Sequence, residues 1–381
     1  MKKKIIAFLI FLFVALILIL YLVGQVHTYT DYTTLSSAER TDDESVKLAS
    51  FKGEVLKYGS DGISLTDLSN NILWSQSFEI NSIQLAISDD YVAVAETGGT
   101  QIYLFDVNGF VGKFDSERQI VCIDVSDIGT VAVIEGEDGI CYLNLFDSSG
   151  NELAEGTIHI DNNGFPVSVA LSPNGNLMAV AFMGFTSGEV KSHISFYNFG
   201  KVGQNEIDNI VATYDYDSVI ANVKYVNDTT CIAFGDNTVQ IYRGSQKPAL
   251  GKEISVEREI SSIYCGNGRF GLVYRNDKDT YEAADASADA KTSGVYTTEV
   301  YNYNGRRLFS TDFDLSYDRI EVLDNKEICI IGGNSVQILS KWGKVRFRYT
   351  FDDRVMELFS SSSMHTYEIM FSDRTEHIRL K

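Results

Sequence analysis

Three prolines in 381 residues leave no room for a proline-rich linker. Only five histidines are present, His27, His159, His193, His365 and His377, scattered with no partner at ligand spacing. Surface or strand positions are their default. The chain has no H-E-x-x-H, no G-x-S-x-G and no Walker loop, so the common zinc-protease, serine-hydrolase and nucleotide-binding signatures are missing. Five cysteines occur, Cys122, Cys141, Cys231, Cys265 and Cys329, without a C-x-x-C pair, which removes the usual zinc and dithiol motifs. Most sit inside apolar runs such as IVCIDV and EICIIGG, as small buried hydrophobes do. A Cys122–Cys141 disulfide is the alternative in an oxidising compartment. Cations are also short: 32 Lys and Arg against 52 Asp and Glu, a net charge of −20. Such a bulk charge argues against nucleic acid, and against anionic headgroups, as ligands of the soluble part.

What is present is 44% hydrophobic and rich in Tyr (21) and Phe (22), a β-favouring composition. The start, MKKK, precedes IIAFLIFLFVALILILYLV at residues 5–23, 19 residues without a charge. At about 1.5 Å per residue this spans roughly 30 Å of hydrocarbon. The core exceeds a cleaved signal peptide's, and GQVHTYTDY after it has no Ala-x-Ala site. The first cysteine, Cys122, is too distant for a lipoprotein anchor. The expectation is therefore an uncleaved transmembrane signal anchor over 5–23. Lys2, Lys3 and Lys4 keep residues 1–4 cytoplasmic and the rest outside the cell.

From residue 44 onward one pattern repeats. SVKLAS, GEVLKYG, DGISLTDL and NILWSQSF (45–78) are followed by SIQLAIS, DYVAVAE, TQIYLFDV and GFVGKF (82–114). The same order recurs from 119, 165, 219, 259 and 318, each with four short β-like runs. The last unit, 354–381, holds three. Eight units of about 42 residues predict an all-β fold, a β-propeller of about eight four-stranded blades with seven as the alternative. A twisted four-stranded sheet has two faces to bury, and radial stacking covers both. SPNG (172–175), DVNG (106–109) and DSSG (147–150) supply hairpin-turn chemistry. The missing fourth strand of the last unit leaves ring closure open. Either VHTYTDYTT (26–34) supplies it, or residues 24–43 form a flexible stalk.

In such a meander, the inner–second and third–outer turns share one face of the disc, here the first face. The second–third turns and the links between blades share the other, the second face. On the second face fall the insertions 157–164, 183–192 and 276–296. On the first falls GKVGQNEIDN (200–209), with 245–251 beside it. Long loops on a rigid scaffold are where binding residues gather. The candidate partner-binding residues are Phe165, Met183, Phe185, Tyr281 and Tyr296, together with Gln204, Asn205 and Glu206. The 276–296 insertion is Ala/Asp/Ser-rich, a composition of disorder. DNNG (161–164) lacks the spaced oxygens of a calcium loop. The 200–209 link reads as a structured loop packed through Val202 and Ile207, with Gln204, Asn205 and Glu206 capping its turns.

ALSPNGNLMAVAF resembles the inner hairpin of many bacterial, WD-repeat-like propellers, and NNILWSQSF and GKVRFRYTF resemble the outer strand of quinoprotein-like repeats. Only Trp74 and Trp342 are present, thin for the tryptophan ring of a quinone site. FYNFGKVGQNEIDN, GFPVSVALSPNGNLMAVAF, SGEVKSHISFYNFG, VLKYGSDGISL and the terminal HIRLK together resemble an uncharacterised family of membrane-anchored propeller proteins from clostridia-like Gram-positive bacteria. The resemblance implies the fold and the anchor and transfers no catalytic residue. The expected function is a non-catalytic binding or scaffold module of the cell envelope, without cofactor, facing an envelope protein or wall polymer. The alternatives are a glycan-acting enzyme with channel carboxylates, or the ligand-binding part of a receptor complex.

Overall fold

The computed structural model describes Phe13 and residues 27–381 apart from 44, 138, 161–163, 187, 277–293 and 362. Phe13 apart, the anchor expected over 5–23 lies outside them. Among the described residues no helix is long and apolar enough to cross a membrane.

Among the described residues thirty-two strands form eight four-stranded antiparallel sheets. Blades 1 to 7 span 47–77, 83–115, 119–159, 165–216, 220–255, 260–313 and 319–350 in chain order. Radial position decides each strand's pattern. The second strands are covered on both sides by neighbouring blades, so Val92, Ala93, Val94 and Ala95 are all fully buried. The outer strands alternate, as Glu152–His159 does, because part of their surface meets solvent. Each blade junction holds an apolar cluster of described residues: that between blades 3 and 4 joins Ile134, Leu143, Val180 and Phe182, and that between blades 7 and 8 joins Ile338, Phe347, Tyr367 and Ile369. The inner strands of blades 3 to 6 each carry a bulge near their start. Pro166 sits at one of them, on an edge strand where its missing N–H costs no ladder bond.

Blade 8 closes the ring. Its three C-terminal strands end in Arg374–Leu380, and Tyr32–Glu39 pairs with that strand as the outer one, Tyr32 opposite Leu380 and Glu39 opposite Arg374. The closing strand is thus later than 26–34. Tyr29 instead makes a parallel bridge to Phe347, its N–H donating to the Arg346 carbonyl at 2.7 Å. The junction of blades 8 and 1 has the smallest apolar cluster: Leu48, Val55 and Met370. A polar network supplements it. The Asp42 carboxylate accepts from Arg40 Nε and from Lys57 Nζ, each at 2.7 Å, and Arg40 Nη1 donates to Thr375 Oγ1 at 3.1 Å.

Candidate protein-binding face

Blade 4 rises above its neighbours on the second face. Its second and third strands, Leu177–Thr186 and Glu189–Asn198, are ten residues each and stay paired to Thr186 opposite Glu189. Beneath the tip the hairpin is anchored by Phe182, buried and stacked on His193 at 4.4 Å. Burial holds the His193 pKa below its ordinary value, against the pull of Asp215. Above that point the apolar side chains have no core to enter. Phe185 is 77% exposed and Phe165, opposite Met183 on the inner strand, is 44% exposed. Met183 is half-buried between them in sequence. Gly164 makes this approach possible: it has φ +76°, and a Cβ there would stand 2.6 Å from the Met183 carbonyl oxygen.

Beside Phe165 opens a cavity of about 560 Å³, lined among others by Thr100, Glu117, Arg118, Glu137 and Ile160. Arg118 lies over the Tyr142 ring, 3.6 Å from its centroid. Its guanidinium has four carboxylates around it: Glu117 at 3.4 Å, Glu135 and Glu137 at 3.5 Å and Glu155 at 3.6 Å. Glu135 is fully buried and accepts from Asn144 Nδ2 at 2.9 Å. Burial pushes its pKa up, opposed by Asn144 and Arg118. One cation among four carboxylates leaves the cavity electronegative. Its neighbouring rim is aromatic. This arrangement suits a cationic side chain flanked by apolar ones. Cys141 also lines the cavity, but burial raises its thiol pKa, which makes a poor nucleophile.

The other candidates lie elsewhere. Tyr296 is half-buried, stacked on Phe313 at 5.3 Å and edge-on to Tyr317 at 5.2 Å, a brace at the base of the 276–296 link. Tyr281 is outside the described residues, as is most of DNNG. Gln204, Asn205 and Glu206 are on the first face, the first two in the 3₁₀ turn Gly203–Asn205 and Glu206 between it and a second, Ile207–Asn209. Val202 packs on the core there, as expected, whereas Ile207 is 85% exposed. The side chains of Gln204 and Glu206 make no cap. Asn198 does this instead, its Oδ1 accepting from the Gly200 N–H at 2.8 Å and its Nδ2 donating to the Gln246 carbonyl at 2.7 Å. Asn205 ties back to the Lys201 carbonyl at 2.8 Å. The sequence reading missed Arg118 and its glutamates. Their signal was local: Glu117–Arg118 opens an inner strand in a cation-poor chain.

The inner strands carry further ionisable groups. Asp124 accepts the Leu171 N–H at 2.7 Å, tying blade 3 to blade 4, and burial pushes its pKa up to about 6. Glu321 is pushed up to about 7 by burial, against Arg319. Arg319 pairs with Glu357 and donates to the Leu48 carbonyl at 3.3 Å, so it spans blades 7, 8 and 1. Cys122 and Cys141 share one apolar cluster, and all five cysteines are free thiols. Among the described residues no group of His, Cys, Asp and Glu is placed to hold a metal ion.

The chain belongs to the family of unknown function DUF5711. That family's model matches residues 25–380. None of the curated proteins matches it. Among solved structures it is similar to BamB from Moraxella catarrhalis, with a TM-score of 0.51 and 13% identity over 92% of this chain and 100% of that one. Raptor from Chaetomium thermophilum gives 0.47 and 10% identity, over 94% of this chain and 29% of that one. At these identities the likeness to BamB concerns the fold alone: a β-propeller.

Proposed function

We propose that this DUF5711 chain is a membrane-anchored, extracytoplasmic propeller that acts as a non-catalytic binding or scaffold module of the cell envelope. Residues 5–23 serve as the anchor, and a protein partner docks on the second face at blades 3 and 4. The observation that carries the reading is Phe185 standing 77% exposed on an over-long hairpin beside Phe165 and the Arg118 cavity. Exposed aromatics on a rigid platform are typical interface anchors. A protein with a basic side chain suits the site better than an anionic wall polymer, because the rim is aromatic and the cavity electronegative. For the enzyme alternative, the inner-strand Asp124 and Glu357 are engaged in ties between blades, which leaves Glu321, its pKa raised by burial, as the carboxylate such a reading would use.

The test places a photo-crosslinking residue at position 185, and separately at the exposed Lys201 on the opposite face, in living cells. A partner captured from position 185 only, and lost when Phe165→Ala is added, is the expected result. Equal capture from both positions, or none from 185, would sink this assignment.

A further inference from the structure

The third–outer turns of the first face repeat one geometry with two chemistries. In blades 1, 2 and 3 the turn is capped by an aspartate. Asp67 accepts from the Asn71 N–H at 2.8 Å, Asp106 from Asn108 at 2.7 Å and Asp147 from Asn151 at 2.9 Å. In blades 6 and 7 a neutral residue makes the same kind of bond. Asn302 accepts from the Arg306 N–H at 2.9 Å, and Ser340 from Lys344 at 3.1 Å. Asp, Asn and Ser are interchangeable as turn caps, so the fold does not require the difference. Its effect is a charge division of the rim. Blades 1 to 3 are acidic, and blades 6 to 8 present the exposed Arg306, Lys344, Arg379 and Lys381, with Asp31 and Asp324 as acids among them.

Two further features fall in the basic sector. Trp342 is 48% exposed on the blade 7 turn, with Lys341 Nζ 4.7 Å from its ring centroid, and Met364 is 68% exposed on the neighbouring turn of blade 8. The chain also arrives here from its N-terminal side. Thr28 Oγ1 donates to the Val345 carbonyl at 2.8 Å, and the Lys381 N–H donates to the Asp31 carbonyl at 2.8 Å. Residue 23 lies five residues before Thr28, so the two stand at most about 18 Å apart when that stretch is fully extended.

We propose that the first face at blades 6 to 8 lies on an anionic phospholipid bilayer, with Trp342 at headgroup level and Arg306, Lys344, Arg379 and Lys381 over lipid phosphates. The inference rests on the N-terminal anchor proposed above. Indole rings favour the membrane interface and surface cations favour anionic lipid. The net charge of −20 does not oppose this, because screening confines each charge to about 10 Å at 0.1 M salt. The second face, with Phe165 and Phe185, then points away from the bilayer and stays open to a partner.

The test uses the full chain with Trp74→Phe, which leaves Trp342 as the one tryptophan. It is reconstituted in nanodiscs of phosphatidylglycerol and phosphatidylcholine, with and without bromine in the acyl chains. The expected result is that brominated lipid removes most of the Trp342 emission, and that Lys344→Glu with Arg379→Glu restores it. Should Trp74→Phe fold poorly, the unsubstituted chain minus Trp342→Phe gives the same difference. Equal emission in brominated and plain lipid overturns the proposal. An alkaline wash of vesicles carrying the chain separates the two readings. A chain that stays bound while Trp342 is unquenched keeps the anchor and loses the docking face. A chain that washes off loses both.

Discussion

Asp42 is the residue on which the closing junction should depend most. The apolar part of the blade 8–blade 1 seam is Leu48, Val55 and Met370, each contributing about 1.5–3 kcal/mol on full burial. Beside it, Asp42 holds two cations, Arg40 at 3% exposure and the largely buried Lys57. Asp42→Ala leaves both without their counter-charge. Breaking a buried pair from one side costs about 3–5 kcal/mol, comparable with half or more of the apolar seam. The loss should appear as a lower urea midpoint. It should also appear locally, as faster amide exchange in Tyr32–Glu39 and Arg374–Leu380 while the second strands of blades 3 and 4 keep their protection. Adding Arg40→Met and Lys57→Met should recover most of the stability, because a triad replaced by apolar groups of similar size is close to neutral. A cost below about 1 kcal/mol for Asp42→Ala, or an equal cost in the Arg40→Met, Lys57→Met background, would refute the argument.

Three further outcomes are expected. Glu321 has a folded pKa of about 7 against an ordinary 4.5, so its penalty is absent when both states are protonated and complete above pH 7. Glu321→Gln should therefore raise stability at pH 8 by up to about 3 kcal/mol and by nothing at pH 4, read from urea unfolding at both pH values. Gly164→Ala should destabilise by about 1–2 kcal/mol through its positive φ, and by more if the Met183 carbonyl cannot move; a melting temperature unchanged from that of the parent chain would contradict the placement of the hairpin. The five thiols are free, and burial pushes that of Cys122 up to about 12. Iodoacetamide at pH 8 should leave Cys122, Cys141, Cys231 and Cys329 unmodified until denaturant is added, and rapid native labelling of any of them would show the junction cores to be looser than described.

The architecture can be read from local pattern, because in a propeller every blade obeys the same local rules. Alternation marks the outer strands and continuous apolar runs mark the second strands. Gly with Asp, Asn or Ser marks the turns. Eight units are therefore legible without any long-range information. The closing strand is harder to place: in YTTLSSAE at 32–39 the residues from Thr33 to Ser37 are all exposed, on both faces of the strand, so it carries almost no hydrophobic signal. Its position was decided by register against Arg374–Leu380. Loop length alone points to Phe165, Met183 and Phe185, and the structure brings them onto one blade. Loop length points equally to Tyr296, but its ring packs on Phe313 and Tyr317, two residues a whole strand away. Ile207 reads as a core residue and lies exposed, because the Asn198 side chain already holds its loop.

Only the tertiary structure could set Arg118 among glutamates drawn from three different strands and their flanks, or gather Arg306, Lys344, Arg379 and Lys381 on one sector with the incoming chain. Local pattern fixes which strands form. Which distant residues share a cavity or a rim depends on where the ring closes, and that is a property of eight packed junctions together.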